Sequence, residues 1–169
     1  MTVSFRPAGR ADLPLLARWL AQPHVERWWP DPEKALAGIA DHLDDPAIEC
    51  FVIVLDGREA GYLQCYDPHA WPEHPFADRP RGSRGLDMFI GEPDLVGRGH
   101  GSRATRAFVD RLFAAGAPEA LIDPHPDNAM AIRAYGKAGF AAYRECDTPW
   151  GRVVLMRLPN PALNGSRAT

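Results

Sequence analysis

The sequence predicts an α/β (α+β) domain, with helices flanking a central sheet in the order βααβββαβαββ. Three observations carry this reading. Apolar residues before residue 44 recur at helical spacing. At Cys50 the period changes, and Cys50–Leu55 is a continuous apolar run of strand length closed by the hairpin signal Asp56-Gly57. Beyond residue 84, strand-like runs alternate with helical ones.

Taken in order, Val3–Arg6 reads as a first strand. Asp12–Ala21 places Leu13, Leu16, Trp19 and Leu20 on one helical face, with Asp12 in the cap region. Pro23 ends that helix, and His24–Trp29 is a short helical piece before Pro30. Glu33–Leu43 repeats the pattern with Leu36, Ile39, Ala40 and Leu43. Glu59–Tyr66 returns as the partner of Cys50–Leu55. Asp67–Ser83, rich in Pro, His and Asp, reads as a long loop of the kind that carries function. Gly85–Gly91 is a third long strand. Ser102–Ala115 is a helix with the stripe Phe108, Val109, Leu112 and Phe113. Ala120–Ile122 is a short strand, Asp127–Ala138 a helix ended by Gly139. Phe140–Glu145 and Val153–Leu158 close the sheet around a turn at Trp150-Gly151.

With 169 residues, 46% of them hydrophobic and 24% charged, the chain suits one domain, residues 1–158, followed by a flexible tail over 159–169. A net charge of −3 argues against a general nucleic-acid binder. The start of the chain lacks the basic-then-apolar pattern of a signal peptide, and no run is long and apolar enough to span a bilayer. No membrane or nucleic-acid partner is expected. Three scattered cysteines, Cys50, Cys65 and Cys146, suit a reducing, cytoplasmic setting better than a disulfide framework. Cys65, Asp67, His69 and His74 form a loose group whose spacing fits no standard zinc pattern, so no metal is expected. Cys65 also lacks an evident paired base.

The most informative segment is Val96-Gly97-Arg98-Gly99-His100-Gly101-Ser102, between a strand and a helix. Its glycines let backbone approach a ligand, the helix start presents N–H groups to an anion, and Arg98, His100 and Arg103 add donors. That is a pyrophosphate cradle by physical logic. It lacks the Gly-Lys-Ser/Thr ending of a P-loop and the glycine spacing of the dinucleotide fingerprint. The alternative is a flexible strand-to-helix loop.

The second segment, Asn128-Ala129-Met130-Ala131-Ile132-Arg133-Ala134-Tyr135-Gly136-Lys137-Ala138-Gly139-Phe140, resembles the last conserved stretch of the GNAT acetyltransferase superfamily. The glycine turn is similar to that superfamily's cofactor loop, except that Val96 stands where Gln or Arg is usual. More narrowly, His24-Val25-Glu26-Arg27-Trp28-Trp29, Gly85-Leu86-Asp87, Asp123-Pro124 and Ala131–Tyr135 resemble the aminoglycoside 6'-N-acetyltransferase and siderophore-type branch. The resemblance implies a mixed, mostly antiparallel sheet, acetyl-CoA as cosubstrate and a small-molecule amine as partner.

Acetyl transfer from a thioester needs a neutral amine, a polarised carbonyl and a stabilised thiolate. The resemblance makes Asp87 the substrate-binding proton acceptor, against the plainer reading of a strand-edge carboxylate facing water. It makes Tyr135 the acid for the thiolate, against a half-buried helical aromatic. It implies a carbonyl-polarising N–H among Met88, Phe89 and Ile90, on a strand that splays from its neighbour. Asn128 is either a contact to the pantetheine arm or a helix cap, and Ala131 and Lys137 join the cofactor set. Trp28 and Trp29 divide between core and ligand, or are both structural. Tyr66, Asp67 and Asp123 complete the acceptor side, Asp123 alternatively being a strand end. One departure stands out: Trp150 precedes Gly151 where some aminoglycoside enzymes have an acidic residue. Function therefore lies among an aminoglycoside acetyltransferase, an acetyltransferase of a siderophore precursor or peptide amine, and a non-catalytic acyl-CoA-binding module. Exposed strands near the C-terminus leave monomer and homodimer both open.

Overall fold

The structure, a computed structural model, describes residues 1–164. Seven strands form one sheet in the order β1-β2-β3-β4-β5-β7-β6. They are β1 (Val3–Pro7), β2 (Ile48–Leu55), β3 (Arg58–Tyr66), β4 (Arg84–Ile90), β5 (Glu119–Ile122), β6 (Ala141–Thr148) and β7 (Gly151–Pro159). The helices are α1 (Leu13–Leu20), α2 (Pro23–Glu26), α3 (Pro32–His42), α4 (His100–Ala114), α5 (Ala129–Ala138) and α6 (Pro161–Asn164). Between β1 and β2 there are thus three helices where the expected order had two. Pro23 does not merely end α1; it opens α2 at the first helical position, where its missing N–H has no helical partner to lose.

The residues group into two compact units. One is Met1–Cys65 with Asp87–Ala104, the other Tyr66–Leu86 with Thr105–Thr169. In the first, β1 and β2 pair antiparallel from Val3↔Leu55 to Pro7↔Phe51. The β2–β3 turn is the expected hairpin: Asp56 and Gly57 have φ of 47° and 81°, the two positive values a type I′ turn requires. The core of this unit joins Leu16, Trp19 and Leu20 of α1 and Ile39 of α3 to Val52, Tyr62 and Phe89 of the sheet. The helical spacing of α1 exists because that face is covered; Leu16, Trp19 and Leu20 are all fully buried.

In the second unit, β4 and β5 run parallel, paired at Arg84↔Ala120 and Gly85↔Leu121. The rest of β4 lies outside that ladder. β5 and β7 pair antiparallel, as do β6 and β7, with an irregularity between Ala142 and Arg144. Phe76, Leu121, Val153 and Leu155 form this unit's apolar cluster. α5 begins two residues later than expected, because the Asn128 side chain caps it by accepting from Ala131 N–H at 3.1 Å.

The expected tail also differs. β7 runs through Pro159, Asn160 is 3% exposed, and α6 follows. Asn160 N–H donates to Pro118 O at 2.8 Å, and its side chain donates to Ala117 O at 2.9 Å. These bonds tie the segment after β7 to the α4–β5 connection. Residues 165–169 of the expected tail lie outside the described residues.

Asn160→Ala leaves the Ala117 carbonyl buried without its donor. It is expected to lower unfolding stability by about 1–3 kcal/mol, read from urea denaturation.

Candidate active site

Asp87 sits in β4, and its carboxylate does not face water in the manner of an edge residue. Gln64 of β3, 5% exposed, donates from Nε2 to Asp87 Oδ2 at 2.8 Å. Its Oε1 accepts from Tyr62 OH at 3.0 Å and meets His42 Nδ1 at 3.0 Å. Because Oε1 can only accept, Nδ1 of His42 carries the hydrogen. The phenol has one proton, so giving it to Gln64 leaves its oxygen to accept from the Cys50 thiol, 3.1 Å away. Burial pushes the Tyr62 phenol and the Cys50 thiol up, keeping both protonated. Burial also pushes the Asp87 carboxyl up, against the Gln64 hydrogen bond and the charge of His42, which pull it down. The result is a carboxylate with one oxygen held and a strengthened appetite for a proton.

The end of β4 is held separately. Gly91 N–H and Glu92 N–H both donate to Ala60 O, at 2.8 and 3.3 Å, and His24 Nε2 lies 2.9 Å from Ile90 O. Glu92, 8% exposed, accepts from Trp19 Nε1 at 2.8 Å and Arg18 at 2.7 Å through Oε1, and from Arg58 at 3.0 Å through Oε2. Phe89 turns its ring into the core against Trp29, centroids 5.2 Å apart, so only its backbone remains for a ligand. Met88 and Ile90 flank it on the opposite pleat.

The cradle follows. A 3₁₀ turn, Pro93–Leu95, leads through Val96 into Gly97 and Gly99, with φ of 76° and 80°. No atom lies within 4 Å of where a Cβ would stand at either glycine. They are therefore required for backbone conformation and not for lack of space. Arg98 is exposed, Ser102 lies in the first turn of α4, and His100 Nδ1 is 2.9 Å from the Met1 sulfur, with Arg103 NH1 at 3.8 Å. Positive-φ glycines, a fifteen-residue helix start and three cationic or donor side chains suit a pyrophosphate.

Of the tryptophan pair, Trp29 packs edge-on against Tyr62 and Phe89, whereas Trp28 carries the Arg27 guanidinium 5.0 Å over its ring.

In the second unit, Tyr135 is 8% exposed on α5, beside Phe140 at 6.2 Å. Asn128 spends its oxygen on the cap and so engages the N–H of Ala131; its amide NH₂ remains a donor. Lys137 is exposed. Asp123 Oδ2 accepts from Trp150 Nε1 at 3.3 Å. Tyr66 is 5% exposed, its ring against Trp71 and His74, and a Cβ on Gly85 would strike it at 2.2 Å. Asp67 caps the 3₁₀ turn Pro68–Ala70 and engages His69, which leaves it partly committed. Among the described residues no group of three or more His, Cys, Asp or Glu is arranged to hold a metal, and no helix is long and apolar enough to cross a membrane.

Two positioning groups were invisible to sequence reasoning. Gln64 interrupts the apolar run from Ala60 to Tyr66 in β3, and that polar interruption was the available signal. Glu92 gave none, since its partners come from α1 and β3.

The acetyltransferase (GNAT) domain family matches residues 9–148. The chain belongs to the GNAT acetyltransferase family. This GNAT chain is 30% identical, over an alignment of 181 positions, to aminoglycoside N(6')-acetyltransferase type 1 of Klebsiella pneumoniae, covering 99% of this chain and 88% of that protein. It is 28% identical over 124 residues to N-hydroxyputrescine acetyltransferase of Acinetobacter baumannii, covering 72% of this chain and 59% of that one. Among solved structures, aminoglycoside acetyltransferase AAC(6')-Ib in complex with coenzyme A and kanamycin superposes with a TM-score of 0.84. The two are 29% identical, with 99% of this chain and 100% of that one covered. The chain is therefore an acetyltransferase enzyme, with the mixed, mostly antiparallel sheet expected of the family.

The Arg18 hydrogen bond leads, with Trp19 and Arg58, in holding the Glu92 carboxyl below the ordinary glutamate range. A lowered carboxylate pKa contributes stability above the unfolded-state pKa and loses it as pH falls through the folded one. Glu92→Gln is expected to destabilise by about 1–3 kcal/mol at pH 7. The gap to the parent should close below about pH 4, measured by denaturant unfolding at both pH values.

Proposed function

We propose that this GNAT enzyme is an acetyl-CoA-dependent aminoglycoside 6'-N-acetyltransferase that acts as one domain over residues 1–158. The observation that carries the reading is Asp87: a carboxylate with a raised pKa, held by Gln64, which His42 in turn orients, on the strand that leads to the glycine turn. The similarity to aminoglycoside acetyltransferases over nearly the whole chain supports the substrate class. The three cysteines are free, two of them buried, which suits the cytoplasm.

When bound, acetyl-CoA supplies a thioester carbonyl as the acyl donor. Backbone N–H groups of Gly97–Ser102, with Arg98 and His100, hold the pyrophosphate, and Asn128 and Lys137 serve the remainder of that molecule. Asp87 draws the cationic acceptor and takes a proton from its amine, directly or through water. Gln64 holds Oδ2 by one hydrogen bond, so the proton arrives at the other carboxylate oxygen. A strand N–H among Met88–Ile90 donates to the developing oxyanion. Tyr135 holds its phenolic proton for the departing sulfur. Asp123 and Tyr66 contact the acceptor; Asp67 adds charge at the loop entrance. Trp29 packs against the core, and Trp28 is the member of the pair assigned to the acceptor.

Asp87→Asn keeps an acceptor for the Gln64 amide and removes a buried charge. A raised Asp pKa means that the folded state favours the proton, so the ionised group lowers stability above about pH 4. The variant is expected to melt at or above the parent temperature at pH 7 and to bind CoA normally. Its kcat/KM for kanamycin should fall about 10²- to 10⁴-fold. In the parent, the acidic limb of the kcat/KM profile should lie above the ordinary Asp value. A parent-like rate in Asp87→Asn would remove the residue from the mechanism.

The whole reading is tested by CoA release from acetyl-CoA across kanamycin-type aminoglycosides, polyamines, hydroxylamines and peptide amines. Turnover confined to a hydroxylamine would favour the siderophore-precursor reading, in line with the N-hydroxyputrescine enzyme. CoA binding without any turnover would favour the binding module.

A further inference from the structure

In the second unit, the loop after β3 and the β6–β7 turn bring four rings together. Tyr66 lies 6.1 Å from Trp71 and 5.2 Å from His74. His74 lies 6.3 Å from Trp71 and 5.5 Å from Trp150, at centroids. Trp71 and Trp150 are 36% and 57% exposed, so the cluster opens to solvent at both tryptophans. Trp150 also donates to the Asp123 carboxylate at 3.3 Å, which sets one negative charge at the margin of the rings.

We propose that Tyr66, Trp71, His74 and Trp150, with Asp123, form a subsite for the flat ring of an arylalkylamine, so that the enzyme acetylates aromatic monoamines as well as aminosugars. The proposal rests on the reading of the chain as an acetyltransferase of small amines. In the reaction the amine nitrogen forms a C–N bond to the thioester carbonyl carbon and the C–S bond breaks. The amine proton passes to the base, and CoA leaves as its thiol.

Three features suit a flat ring. His74 Nδ1 accepts from Phe76 N–H at 3.2 Å, and burial pushes the imidazole down toward its neutral form, so it acts as a fourth uncharged aromatic face. Asp123 is the carboxylate bonded to the cluster, and it supplies a counter-charge for the ammonium of the amine. Trp150 stands in the turn between β6 and β7. Its backbone is set by Thr148 Oγ1, which accepts from Trp150 N–H at 3.3 Å and donates to Gly151 O at 2.6 Å.

The rings are also held before any ligand arrives. His69 lies between Asp67 and the Arg79 carbonyl, its Nε2 2.9 Å from that oxygen. Arg79 makes two hydrogen bonds to Glu119, at 2.8 and 2.9 Å, and Arg157 adds a third at 3.0 Å. This clamp fastens the loop to β5 and limits the entropy lost when a flat ring settles against Trp71 and Trp150.

The test uses the full chain with 2-phenylethylamine and kanamycin as probes, reading tryptophan emission and CoA release. Phenylethylamine should quench emission saturably and support CoA release. Trp150→Asp should weaken its binding and raise its KM about tenfold and lower the KM for kanamycin; Trp150→Phe, which keeps a ring and loses the indole N–H, should weaken binding less than Trp150→Asp. Quenching that is absent, or equal in Trp150→Asp, overturns the subsite. Kanamycin turnover with phenylethylamine neither bound nor acetylated also overturns it while sustaining the aminoglycoside reading. Phenylethylamine turnover without kanamycin turnover sustains the subsite and sinks the aminoglycoside reading. Trp150-dependent quenching with no CoA release overturns the claim of acetylation.

Discussion

The buried carboxylate of Glu92 is the constraint around which the first unit is built. A charge at 8% exposure is tolerated only with partners for its lone pairs. Those partners are the Trp19 indole and the Arg18 and Arg58 guanidiniums. The arrangement joins α1 to the β3 start and the β4 end at one point. Trp19 cannot move without exposing the charge, and Glu92 cannot move without opening the aromatic core around Trp19 and Phe89. The glycine turn begins five residues later, so where the proposed anion-binding backbone starts is set by a packing requirement.

Asp87, the proposed base, is held by a neutral amide. An arginine in place of Gln64 would have depressed the carboxyl pKa and weakened it as a base. A neutral amide donates one hydrogen bond and leaves burial as the dominant influence. Gln64 is itself oriented because its oxygen is claimed by Tyr62 and His42, and Tyr62 is supported by Cys50. The orientation of one carboxylate is thus decided by α3, β2 and β3 together, through His42, Cys50, Tyr62 and Gln64.

The second unit uses the opposite strategy, a charged clamp around neutral rings. Glu119, 5% exposed, holds Arg79 and Arg157, and that pair also brackets Tyr143, with guanidinium carbons 5.3 and 5.9 Å from its ring. The long Pro-rich loop is consequently fastened to β5, with Trp71 at the surface and Phe76 fully buried.

What the sequence determined by itself was set by local physics. The helical face of α1, the Asp56-Gly57 hairpin, the glycine turn and the cap at Asn128 each depend on residues within a few positions, so their signals are contiguous. Asp87 stood out because a carboxylate in a strand needs a reason. Tertiary structure decided what depends on partners far along the chain. Gln64 meets Asp87 across 23 positions and Trp19 meets Glu92 across 73. It likewise decided which tryptophan of the pair enters the core and that Asn160 is anchored where a loose tail was expected. No local pattern encodes such pairings, because the cost of leaving a buried polar group unsatisfied exists only once the folded chain has buried it.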